Sequence, residues 1–149
     1  MTVTLQDVLR QLGRDEPDYA QAARLGPDAR PHLRHLIQGS DLGLAAKAAC
    51  RAGTMGGADS IPLVELAARH PDALVRVAAA AAARSLPHVP TSLATTFLED
   101  ADPGVRKWGL RTVQTTHATG IKRQLEGIMK DDPDAGLREQ ARKVFDRLK

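Results

Sequence analysis

Few residues of this chain are of the kinds that do covalent or metal chemistry, and none is spaced to do it. His32 and His35 lie one helical turn apart and could share a metal. Their nearest carboxylates in sequence, Asp28 and Asp41, are not at ligand spacing, so a solvated helix face is the better reading. His70, His88 and His117 stand singly. Cys50 is the one cysteine, which rules out an internal disulfide and a multi-cysteine zinc site. No base stands beside it in sequence, so it reads as an inert thiol. There is no glycine-rich phosphate loop and no nucleophile elbow; Gly56-Gly57 is only a turn. No pair of residues is spaced for general acid and base work. The chain therefore reads as non-catalytic, with no cofactor and no metal.

What remains is charge. Arg76, Arg106 and Arg138 each follow an aspartate by four residues: Asp72, Asp102 and Asp134. They could form a row of cations for an acidic partner. The alternative is structural, because acid before base at this spacing is the favourable order for an ion pair on a helix. Basic residues also gather at Arg106, Lys107, Arg111, Lys122 and Arg123, which admits nucleic acid. Against it, the aromatic residues that could stack on bases are only Trp108, Tyr19, Phe97 and Phe145. A net charge of +3 is too mild to decide the matter.

The elements that carry these residues follow from composition and period. A chain of 149 residues is expected to form one domain and can bury a core without metals or disulfides. With so few rings, that core must be Leu, Ile, Val and Ala, which favours closely packed helices. The apolar period predicts helices over 3–13, 19–25, 28–38, 42–53, 60–70, 71–86, 89–100, 102–115, 117–130 and 135–148. Residues 53–57 (GTMGG) read as the loosest loop and the best candidate hinge. The N-terminus meets polar residues too early for a signal peptide. No apolar run approaches the roughly 18 residues a membrane helix needs, so a cytoplasmic protein is expected.

The second helices repeat. A capping aspartate recurs at Asp41, Asp72, Asp102 and Asp134, in steps of 31, 30 and 32 residues. Three positions on comes an apolar residue: Leu44, Val75, Val105, Leu137. Four further comes a small one, Ala48, Ala79, Gly109 or Ala141, and four beyond that Ala52, Ala83, Val113 or Phe145. These offsets share one helical stripe. The first helices carry Pro31, Pro62 and Pro90 near their starts. A period of about 30 residues filled by two antiparallel helices implies an α-solenoid.

Ile61-Pro62-Leu63, followed by Asp72, Val75-Arg76 and Ala79, resembles a HEAT repeat, in its short variety of roughly 30 residues named after phycobilisome lyases. Asp102-Pro103-Gly104-Val105-Arg106 and Asp134-Ala135-Gly136-Leu137-Arg138 match the same pattern. The first repeat departs from it, with Ala45 where the arginine would stand. The resemblance implies an all-α, α-α superhelix of about five antiparallel helix pairs. An irregular pair at 1–26 would cap repeats at 27–57, 58–87, 88–116 and 117–149, all in one domain. It implies armadillo-like helical architecture and a structural Asp–Arg ladder, and it is nearly silent on function.

In such a solenoid the second helices line the concave side. Offsets two, six and nine from the apolar anchor point away from the core. They select Ala46, Cys50 and Gly53, then Val77, Ala81 and Arg84, then Lys107, Arg111 and Gln114, then Glu139, Lys143 and Asp146. A small apolar trough with a basic edge suits an amphipathic helix or an acidic peptide. The expected function is a non-catalytic scaffold or adaptor for protein–protein interaction. Its partner-binding residues would be Val77, Ala81, Arg84, Lys107, Arg111 and Gln114. Two alternatives are a nucleic-acid-binding solenoid that uses the basic third repeat, and an accessory, lyase-like subunit.

Overall fold

In the computed structural model the described residues are 3–12 and 29–148. Among them are nine α-helices and no strand. They are α1 (Leu5–Leu12), α2 (Arg30–Ile37), α3 (Leu42–Met55), α4 (Ile61–Ala68) and α5 (Ala73–Ala82), then α6 (Thr91–Leu98), α7 (Pro103–Thr116), α8 (Lys122–Asp131) and α9 (Ala135–Arg147). Single 3₁₀ turns, Ala58–Ser60 and Ala83–Ser85, precede α4 and follow α5. The predicted helix over 19–25 and the turns around it lie outside the described residues. The chain divides into two compact units, Met1–Pro87 and His88–Lys149. The division falls where the spacing of the capping aspartates separates the second repeat from the third.

In the first unit α3 is central and packs on α2, α4 and α5. Its core contains Leu33, Ile37, Leu63, Val64 and Val75, with a large share of alanine: Ala45, Ala48, Ala49, Ala52, Ala79, Ala80 and Ala83 are all buried. In α1, Thr4 and Asp7 form a reciprocal capping box: the Thr4 amide donates to the Asp7 carboxylate at 3.0 Å, and the Asp7 amide to Thr4 Oγ1 at 3.2 Å. In the second unit α6 packs on α7 and α8, and α9 packs on α7 and α8. Its core is larger-grained, with Phe97, Leu98, Leu110, Ile121 and Leu125 fully enclosed.

Three boundaries differ from those predicted. α3 runs through Gly53 and Thr54 to Met55, so the supposed hinge is largely helix. Gly53 is buried there: a Cβ on it would stand 2.5 Å from the Ala82 carbonyl oxygen. Absence of a side chain at Gly53 thus serves close helix approach rather than looseness. α5 gives way to the 3₁₀ turn at Ala83, before Pro87 is reached. α8 starts at Lys122, not at residue 117, because His117 turns left-handed (φ 53°) and closes α7. Thr91 Oγ1 then pins the connection by donating to the Thr119 carbonyl at 3.0 Å.

The repeat stripe is mostly buried as the spacing predicts. Val75, Val105 and Leu137 are enclosed, as are Ala48, Ala79, Gly109 and Ala141. Leu44 is only half-buried, and neighbouring Ala45 takes the inward place. Phe145 likewise yields to Val144.

Candidate functional site

Each second helix is entered through its aspartate. Asp41 accepts from the Leu44 amide, Asp72 from Leu74, Asp102 from Gly104 and Val105, and Asp134 from Leu137. Those carboxylates thereby satisfy amides that have no partner within the helix. The residue two before the cap accepts a hydrogen bond from the cap's own amide: His70 Nδ1 for Asp72, Asp100 Oδ1 for Asp102, Asp132 Oδ1 for Asp134.

The recurring arginines clasp the same turn. Arg76 Nη1 donates to the carbonyls of His70 (3.0 Å) and Pro71 (2.8 Å). Arg106 Nη1 donates to those of Asp100 (2.9 Å) and Ala101 (3.0 Å), and Arg138 Nη1 to that of Asp132 (2.6 Å). The expected pairing of Arg106 with the cap four residues back is replaced. Its Nε and Nη2 grip the Asp132 carboxylate at 2.7 and 3.2 Å, two parallel bonds to the turn before α9. Asp102 Oδ1 serves two helix amides, and the buried Asp132 carboxylate holds the guanidinium. Arg106 is therefore a brace, and it leaves the basic cluster formed by Lys107, Arg111, Lys122 and Arg123.

The six residues selected for partner binding lie in both units. In the first, Val77 and Ala81 on α5 are half-buried and Arg84 is exposed. In the second, Lys107 and Arg111 on α7 are exposed and Gln114 is half-buried. The Arg111 guanidinium lies over the Trp108 ring, 4.7 Å from its centroid, which orients the cation. Gly53, selected by the same offsets, faces inward against Ala82 and is not part of an outward face.

No protein-family model matches the chain, and no curated protein matches its sequence.

The remaining candidates resolve individually. His32 Nε2 meets the Val3 carbonyl at 2.9 Å and ties the start of α1 to α2, while His35 is exposed. Among the described residues no group of three or more His, Cys, Asp or Glu could hold a metal ion, and no helix is long and apolar enough to cross a membrane. Burial pushes the Cys50 thiol up, away from the reactive thiolate.

Sequence reasoning passed over Arg51. It is 2 % exposed, and burial together with nearby Arg30 lowers its proton affinity. The signal was available: ten residues after each capping aspartate stand Arg51, Ala82, Thr112 and Val144, and all four are buried.

Proposed function

We propose that the chain is a HEAT-like α-α superhelix acting as a non-catalytic scaffold or adaptor in the cytoplasm. It would hold another protein or a peptide on the outward face of its second helices. The observation that carries this reading is the division of labour among the arginines and lysines. Arg106 and Arg138 are tied to turn carbonyls. Arg84 and Lys107 stand exposed on the outward positions and, among the described residues, pair with no carboxylate. Arg111 is exposed and held in place by Trp108. In the first unit the small side chains at Val77 and Ala81 precede the exposed Arg84, and in the second Lys107 and Arg111 supply attraction. An acidic peptide or an amphipathic helix with an acidic edge suits both.

The test replaces Arg84, Lys107 and Arg111 together by Glu. A partner identified by affinity capture and mass spectrometry should lose binding to this variant while the helical circular dichroism is unchanged. Undiminished binding would remove these residues from the site. A titration with a single-stranded DNA oligonucleotide at two salt concentrations separates the nucleic-acid alternative, which predicts saturable binding that weakens steeply with salt.

A further inference from the structure

The first unit contains an open cavity of about 280 Å³ where the C-terminal ends of α2 and α4 lie together. Ile37 on α2, Leu66 on α4 and Pro71 in the turn to α5 give it an apolar floor. Gln38, Arg69 and His70 complete its wall, and this lining contains no carboxylate. It is built from the first helices of the unit, so its use is independent of the outward face of the second helices.

Two of the polar groups at this cavity are left with a proton to donate. The Arg69 side chain is exposed and, among the described residues, makes no hydrogen bond or ion pair. The His70 ring is fixed by its own turn: Nδ1 accepts from the Asp72 amide at 3.0 Å, so the neutral ring carries its proton on Nε2. Nε2 has no partner among the described residues and is not one of their enclosed, unpaired atoms, so it is open to solvent.

The repeat accounts for the space. In the second unit Arg106, four residues after its cap, reaches Asp132, two residues before the next cap. The same two positions in the first unit are the buried Ala45 and His70. No arginine crosses there, and the residue it would meet is a donor instead of a carboxylate. Three residues before the caps the contrast recurs, with Gln38 and Arg69 in the first unit against Glu99 and Asp131 in the second.

We propose that this cavity captures the C-terminal residue of a partner peptide, an aliphatic side chain together with its free carboxylate. The carboxylate would accept from Arg69 and from His70 Nε2, and the side chain would rest on Ile37, Leu66 and Pro71. Charge decides the sign of the occupant, because the lining offers a cation and a fixed donor and no carboxylate. Size decides the rest. A cavity of about 280 Å³ takes one residue, not a turn of helix. The apolar group and the carboxylate must then belong to the same residue, and in a protein chain an aliphatic C-terminal residue carries both. The corresponding cleft of the second unit, with Leu98, Glu99, Ile128 and Asp131 in its lining, should reject a carboxylate.

The test is a titration of the ¹⁵N-labelled full chain, followed by amide shifts, with the peptide acetyl-Gly-Gly-Leu and its C-terminal amide. The free acid should shift amides of residues 38–39 and 66–70 saturably, and at least about fivefold more tightly than the amide. Acetyl-Gly-Gly-Ala should bind at least about threefold more weakly than the leucine peptide, through its smaller apolar contact. Arg69→Glu should abolish the preference for the acid. His70→Asp keeps an acceptor for the Asp72 amide, as Asp132 does for Asp134, and should weaken the acid at least about fivefold. The proposal is overturned if acid and amide bind equally, if no shifts saturate, if the alanine peptide binds as well as the leucine peptide, or if either variant binds the acid like the unchanged chain. Equal shifts around Glu99 and Asp131, or shifts centred on residues 77–84, would put the peptide elsewhere and overturn it too. Octanoate bound as tightly as the peptide would assign the cavity to a free fatty acid. Shifts at these amides on raising the protein concentration alone would assign it to a second copy of the chain. Either result would likewise overturn the proposal.

Discussion

The two units of the chain reach the same helix-pair arrangement with opposite distributions of volume. Five residues before the cap and seven after it, the two middle helix pairs, one in each unit, bury both positions fully. In the first unit they are Ala67 and Ala79; in the second they are Phe97 and Gly109. A Cβ on Gly109 would come within 2.8 Å of Phe97 Cβ, so the two helices approach too closely there for a side chain at 109 whatever residue stands at 97. The turns differ similarly. The second unit secures the start of α9 with a carboxylate, Asp132, held by Arg106. At the corresponding position before α5 the first unit has His70, whose ring accepts from the Asp72 amide.

The strongest way to break this comparison is Phe97→Ala. It should cost about 3–5 kcal/mol in urea unfolding, because the second unit has no alternative filler. Adding Gly109→Ala should not recover that loss, because alanine at 97 keeps the β-carbon that a Cβ at 109 would meet. Gly109→Ala alone should destabilise, despite alanine's better helix propensity, by about 1–3 kcal/mol of overpacking. A double variant more stable than Phe97→Ala alone would show that the helices can separate there and that the missing side chain at 109 is not required.

Next in size is the contrast between turns. Asp132→Ala leaves a largely buried Arg106 without its carboxylate and should cost about 3 kcal/mol. His70→Ala removes one neutral hydrogen bond and should cost about 1 kcal/mol. Equal losses in thermal unfolding would mean that the ion pair adds nothing to the turn. The caps should not distinguish the units: Asp41→Ala and Asp102→Ala should each lose about 1 kcal/mol.

The smallest effects are in pH. Hydrogen bonds from Thr4, helped by Arg10 and His32, hold the Asp7 carboxyl below its usual 3.8. Its folded pKa is depressed, so the stabilisation is present above pH 3.8 and is lost as pH falls through the lower folded value. Asp7→Asn should flatten a slight acid limb in the first unit only. Cys50 has the opposite sign. Its thiol is raised above 9.0, so the unfolded chain releases its proton first and stability declines as pH rises past that value. Thiol-reagent kinetics should show Cys50 slower than a free cysteine at pH 8.

Much of this was legible from spacing. The aspartate caps, the apolar anchors at Val75, Val105 and Leu137, and the small residue in mid-stripe all depend on contacts within one helix or one turn, so their offsets are local. The partners of the arginines were not legible. Arg106 takes Asp132, 26 residues away, rather than Asp102 four residues back, and Asp132 comes within its reach only through packing. Nor was the role of Gly53, since a loop glycine and a close-packing glycine look alike until Ala82 is set against it.

By itself, then, the sequence determined that this chain is helical, where its second helices begin, and, in α5 and α7, which stripe faces inward. Those follow from the 3.6-residue period and from aspartate side chains that reach only their own helix's amides. Tertiary structure alone decided which arginine braces a turn and which glycine admits a neighbour. Those depend on atoms that packing brings together from different helices, at distances no spacing along the chain encodes.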